Sequence, residues 1–81
     1  MTLRVLLFAA YREIVGEREM CLQVPEGTTA DGLFSLLAQS HPRLASLRPS
    51  ATFAVNRNVV AHDHRLQHGD EVAFIQPVSG G

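Results

Sequence analysis

The sequence predicts one α+β domain, a mixed sheet packed on a single main helix. Three observations carry that reading. Segments 3–9, 18–24 and 71–75 are rich in strand-forming residues and alternate with period two. One stretch, 29–40, repeats its apolar residues at helical spacing instead. The chain has 81 residues, of which 46% are hydrophobic, enough for one core and no second one.

Taken in order, 3–9 places Leu3, Val5 and Leu7 on one face and Arg4, Leu6 and Phe8 on the other. Both faces are largely apolar, so the strand is central or its second face meets a partner. Residues 10–15 predict one short helical turn, closed by Gly16 as a left-handed cap. In 18–24, Met20, Leu22 and Val24 alternate with Glu19, Cys21 and Gln23, a half-buried strand that pairs with the first. Pro25-Glu26-Gly27 breaks the pattern, and Thr28 with Asp31 three residues later resembles a capping box. The helix then carries Leu33, Phe34, Leu36 and Leu37 at helical spacing, with Asp31, Ser35 and Gln39 on the other side. Gly32 costs such a helix about 1 kcal/mol against alanine, so a packing reason is expected for it. His41-Pro42 ends the helix, and 43–50 is a connector with one helical turn around Leu44 and Leu47.

A short strand over 52–55 follows, with Phe53 and Val55 inward, then a turn at Asn56-Arg57-Asn58 and an extended Val59-Val60. Residues 62–66 read as loop, His68-Gly69-Asp70 as a tight turn, and 71–75 as the last strand, with Val72 and Phe74 inward. The expected core is Leu3, Val5, Leu7, Met20, Leu22, Leu33, Leu37, Phe53, Val55, Val72 and Phe74. Residues 1–75 form the domain and 76–81 an extended tail.

Composition narrows the function. Seven basic residues are offset by eight acidic ones, for a net charge of -1, and they do not cluster, which argues against a nucleic-acid partner. The apolar run after Arg4 is only about seven residues long and meets Arg12 and Glu13 directly, unlike a signal peptide. No stretch approaches the ~20 apolar residues of a membrane span. With a single cysteine, Cys21, there is no internal disulfide, and a reducing, cytoplasmic setting is expected. All seven basic residues are arginine. A biased genome accounts for that, although a chain with an activated terminal carbonyl also gains from lacking side-chain amines.

Few side chains look reactive. His62, Asp63, His64 and His68 could be drawn as a metal site, but nothing completes a tetrahedral set at a known spacing, so they read as solvated loop residues and no metal is expected. Cys21 reads as a small, semi-buried hydrophobe rather than a nucleophile. The acidic residues form no acid–base pair. The informative feature is the end of the sequence, Gln76-Pro77-Val78-Ser79-Gly80-Gly81. Six residues reach about 20 Å from the sheet, and two glycines make a probe narrow enough for a channel that side chains would block. The tip is a carboxylate, a poor electrophile until it is activated as an acyl phosphate or adenylate. A frayed terminus with no role is the alternative.

A small α+β domain ending in Gly-Gly resembles the ubiquitin-like β-grasp carriers. Within them, Gly69-Asp70-Glu71-Val72-Ala73-Phe74 and Pro77-Val78-Ser79-Gly80-Gly81 resemble the small subunits of molybdopterin synthase, the MoaD-type sulfur carriers. The opening Val5-Leu6-Leu7-Phe8-Ala9 and Arg12-Glu13-Ile14-Val15-Gly16 follow the same family, so the resemblance covers essentially the whole chain. It implies that an E1-like enzyme adenylates the Gly81 carboxylate, consuming ATP, and that a sulfur-donor protein supplies the sulfur that replaces AMP. The thiocarboxylate then docks on the large subunit, with Gly80 and Gly81 threaded into that subunit's active site, and sulfurates the cyclic pyranopterin precursor. The catalytic side chains lie on the large subunit, with two copies of each chain by analogy, and this chain holds no cofactor of its own. Phe8, Val59 and Ile75, on outward registers, match family positions that meet partners, and Pro77, Val78 and Ser79 lead into the threaded end. Gln76 departs from the family, which often has proline there, and weakens the stiffening of the tail root. Carriers for thiamine or tRNA thiolation and ubiquitin-like protein modifiers share the fold and tail. A pure interaction module would have no use for the carboxylate.

Overall fold

The alternating N-terminal segment forms strand β1 (Thr2–Leu7) and runs through Phe8 into helix α1 (Ala9–Val15) in a computed structural model that describes residues 1–76. Strand β2 (Glu19–Gln23) returns antiparallel to β1, and helix α2 (Ala30–Ser40) follows. A 3-10 segment (Pro42–Ser50) leads to the hairpin of β3 (Thr52–Val55) and β4 (Asn58–Val60), and β5 (Glu71–Ile75) completes the described fold. The strands lie in the order β2-β1-β5-β3-β4. β5 runs parallel to β1 and antiparallel to β3, so the sheet is mixed, and its inner face packs against α2. The α+β expectation holds.

Local chemistry accounts for the element ends. Gly16, at φ 89°, takes the left-handed cap of α1, and its N–H donates to Arg12 O at 2.7 Å. The cap of α2 is Thr29 rather than Thr28: its Oγ1 accepts from Gly32 N at 3.0 Å, while the Thr28 hydroxyl donates back to Pro25 O at 2.6 Å. The packing reason for Gly32 follows, because a Cβ there would sit 3.2 Å from Thr29 Oγ1. The connector is longer than one turn. Its nine-residue 3-10 segment buries Leu44 and sends Arg48 back to α2, where the guanidinium pairs with Asp31, donates to Ser35 Oγ at 2.7 Å and lies 4.7 Å from the centre of the Phe34 ring.

The core contains nine of the eleven expected residues and adds Tyr11, Val24, Ala30, Phe34, Leu44, Ala51 and Leu66. Met20 and Leu22 are only half-buried, because β2 lies at the margin of the sheet with one flank uncovered. Phe34 stacks on Phe74 at 5.8 Å, and Tyr11 and Phe53 meet Phe74 edge-on at 5.5 and 5.3 Å. Two further expectations are corrected. β1 ends at Leu7, and Ala9 belongs to α1. His62 is not simply solvated: its Nε2 lies 2.9 Å from Ala51 O and its ring packs 4.9 Å from that of Phe53, tying the loop after β4 to the start of β3.

Candidate functional site

Strand register decides what the outer face of the sheet presents. Leu6 sits opposite both Glu19 and Ala73, Ala73 opposite Ala54, and Ala54 opposite Val59. These five residues form one row across all five strands, apolar everywhere except at its β2 end. The two alanines leave the middle low, and larger side chains stand around it. Leu6, Phe8, Ala54, Arg57, Val59, Glu71, Ala73 and Ile75 line the resulting open depression. Val59 is 71% exposed and Phe8 51%, so this apolar surface meets solvent in the isolated chain.

Backbone geometry holds its rim. Phe8 is extended, and Ala9 turns into the left-handed region at φ 48°, an unfavourable conformation for a residue with a Cβ. That bend starts α1 abruptly: Phe8 O accepts from Tyr11 N at 3.0 Å, while the Phe8 ring stays outside the helix and over the depression. On the opposite rim, Asn56 and Arg57 both have positive φ, 49° and 72°, as a two-residue hairpin turn requires. Asn56 locks that hairpin to β5. Its N–H donates to Glu71 O at 2.8 Å, its Oδ1 accepts from Glu71 N at 3.0 Å, and its Nδ2 donates to Asp70 Oδ1 at 3.0 Å. Asp70 is buried, and its Oδ2 accepts from Gln67 N at 2.7 Å. The His68-Gly69-Asp70 turn is therefore a structural anchor for the rim and not a reactive cluster.

Charges occupy the other half of the face. Arg4 pairs with Glu19 on one side and with Glu71 at 3.3 Å on the other. The hydrogen bond to Glu19, followed by the charge of that carboxylate, raises the guanidinium pKa further above its ordinary value. These pairs are exposed and add little stability. Their effect is to bound the apolar half sharply.

Phe8, Val59 and Ile75 thus come together around one depression, and Ile75 ends β5 immediately before the tail root at Gln76. Pro77, Val78, Ser79, Gly80 and Gly81, like the tail as a unit, lie outside the described residues. Sequence reasoning missed Ala54, Ala73 and Arg57. The alanines carry no conspicuous chemistry, and only their cross-strand register gives them a role. Among the described residues no group of three histidine, cysteine or acidic side chains could hold a metal ion. His68 instead accepts a hydrogen bond from Thr2 N at 3.0 Å. Cys21 is exposed, not semi-buried, because it lies on the outer side of a strand at the sheet margin. None of the described helices is long and apolar enough to cross a membrane.

The ThiS family model matches residues 5–81. The chain is 36% identical to the molybdopterin synthase sulfur carrier subunit of Chlamydomonas reinhardtii, over 100% of both chains. It is 40% identical to the human subunit of that name, over 95% of this chain and 91% of the relative. Among solved structures, small archaeal modifier protein 1 of H. volcanii superposes with a TM-score of 0.82 at 26% identity, covering 95% of this chain and 98% of the other. The mixed sheet packed on one main helix is the ubiquitin-like β-grasp fold of such proteins.

Proposed function

The chain belongs to the ThiS family, and from that membership we propose that it is the sulfur-carrier subunit of a molybdopterin synthase, working through its terminal Gly81. The carrying observation is full-length similarity to relatives bearing that name, combined with an apolar outer face that ends at the root of a Gly-Gly tail. The chain is not a catalyst on its own. It presents a carboxylate, and the groups that activate and use it belong to partners.

In this reading a Gly81 carboxylate oxygen attacks the α-phosphorus of ATP on an E1-like enzyme, and pyrophosphate leaves. Hydrosulfide released from a donor protein then attacks the acyl carbon and AMP leaves with the C–O bonding pair, giving a thiocarboxylate and a proton. The large synthase subunit covers the depression framed by Phe8, Val59 and Ile75. That docking aims Pro77, Val78 and Ser79 toward its active site and delivers Gly80 and Gly81 to the precursor. Apolar contact on a preformed face supplies affinity, Pro77, Val78, Ser79 and Gly80 add partner contacts along the threaded path, and the Gly81 carboxylate stays available for chemistry. Two copies of each chain make the assembly, in the cytoplasm, and no cofactor resides on this chain.

The test is adenylation and sulfur loading followed by intact mass. The full chain should exchange one oxygen for sulfur, and the chain lacking Gly81 should neither be adenylated nor gain that mass. Loading without Gly81 would move the chemistry elsewhere. The likeness to small archaeal modifier protein 1 supports a second reading, in which the activated carbonyl ends as an amide on a target lysine. Recovery of the chain covalently attached to other proteins would favour it.

A further inference from the structure

Among the described residues, strand β2 has a sheet neighbour on one side only. Its pairing with β1 shows which backbone groups are left over. Leu7 N donates to Arg18 O at 2.8 Å and Val24 N to Met1 O at 2.9 Å, at the two ends of one antiparallel register. Because hydrogen-bonded positions alternate, Arg18, Met20, Leu22 and Val24 direct their N–H and C=O groups at β1. Those of Glu19, Cys21 and Gln23 point away from the sheet. Edge strands are usually blunted by proline, lysine or a bulge. Glu19–Gln23 has no proline or lysine and pairs with β1 residue for residue. On its helix side, half-buried Met20 and Leu22 border an apolar groove with Leu36, which is 38% exposed.

We propose that this edge pairs antiparallel with β2 of a second copy of the chain, about a two-fold axis at Cys21. The outward groups belong to alternate residues, so symmetric pairings must centre on one residue of the strand. Centring on Glu19 would oppose two carboxylates. Centring on Met20, Leu22 or Gln23 would run part of each strand past the end of the other. Only the Cys21 centre pairs all five residues, placing Glu19 opposite the amide of Gln23 and Met20 opposite Leu22. It satisfies the three outward N–H and C=O pairs of each copy and joins the two apolar grooves. A five-residue strand is small beside the roughly 800 Å² per partner of a stable interface, so the dimer is weak and concentration-dependent. Ala54, Val59 and Ile75 lie on β3, β4 and β5, away from this edge, and stay accessible.

The full chain, kept reduced, should show a weight-average mass rising toward twice the monomer in sedimentation equilibrium as concentration increases. Cys21→Ser should associate equally, since backbone groups make the contact. Cys21→Lys, which sets two charges on the axis, should stay monomeric with an unchanged melting temperature. Register is read by diamide oxidation, which joins two thiols and is itself reduced to the hydrazine. In a Cys21→Ser background, chains carrying Glu19→Cys mixed with chains carrying Gln23→Cys should cross-link several-fold more than either alone. A reduced native chain that stays monomeric to millimolar concentration, or cross-linking in the mixture no greater than in either variant alone, would overturn the proposal.

Discussion

On the inner face of the sheet Val5, Val72, Phe53 and Phe74 are completely buried, while on the outer face Leu6, Ala73, Ala54 and Val59 line up across four strands and Val59 remains 71% exposed. Both faces read as apolar in the sequence, and they differ in relief. Inside, four aromatic rings from α1, α2, β3 and β5 interlock at centroid distances of 5.3–6.3 Å. Outside, small residues occupy the centre and large ones the rim, which leaves an open depression. Apolar content alone does not separate a core from an open, solvent-facing depression; the placement of side-chain size across the strands does.

Neighbours on β5 test this contrast most strongly. Phe74→Ala empties the centre of the aromatic cluster and should lower unfolding stability by about 3–5 kcal/mol, measured by denaturant titration. A loss of only a few tenths would mean that the inner face is not the core. One residue on, truncation should act on binding instead. Phe8→Ala combined with Ile75→Ala should weaken association with the large synthase subunit by about 2 kcal/mol or more, in titration calorimetry, while the melting temperature barely moves. Unchanged affinity would place the interface elsewhere.

The smallest effect concerns a flaw in the inner face. The hydroxyl of Tyr11 is buried and has no hydrogen-bond partner among the described residues, and burial raises the pKa of the phenol above its usual value. In the unfolded chain the phenol loses its proton near ~10, whereas the folded chain holds it to higher pH. Its contribution to stability is therefore intact below that range and falls as pH rises through it. Tyr11→Phe should remove this alkaline limb and be neutral to slightly stabilising at pH 7, because an unpaired buried hydroxyl costs about 1–3 kcal/mol. With one tyrosine and no tryptophan in the chain, the phenolate absorbance of the native protein reads the titration directly. An ordinary phenol pKa in the folded state would contradict it.

Much of the fold was legible because the local signals agreed with the final structure. Alternation located β1, β2 and β5, the turn at Asn56-Arg57-Asn58 separated the extended segments of β3 and β4, and Gly16 and His41-Pro42 marked two helix ends. The parts that escaped depend on contacts distant in sequence. Thr28 and Thr29 are equally good caps in isolation, and the return of Thr28 to Pro25 decides between them. Tyr11 and Leu44 lie in segments too short to show a period, yet tertiary packing buries both completely. Cys21 looked half-buried because sequence does not reveal which strand ends at a margin. For the depression on the outer face, three rim residues were in view from pattern and resemblance, Phe8 and Val59 exposed and Ile75 half-buried. The floor at Ala54 and Ala73 emerges only when β1, β5, β3 and β4 are set side by side in register.

The central claim is that the terminal carboxylate is the reagent and the sheet face its docking surface. Its most direct test is conversion of the cyclic pyranopterin precursor to molybdopterin by the large subunit, supplied with carrier thiocarboxylated chemically at its C-terminus. Carrier ending at Gly81 should support conversion. Carrier extended by one residue should fail although it folds and docks, because the reactive carbon moves by about 3.3 Å, beyond the tolerance of a near-attack arrangement. Full conversion by carrier lacking Gly81, or loss of conversion in Cys21→Ala with normal folding, would contradict the account.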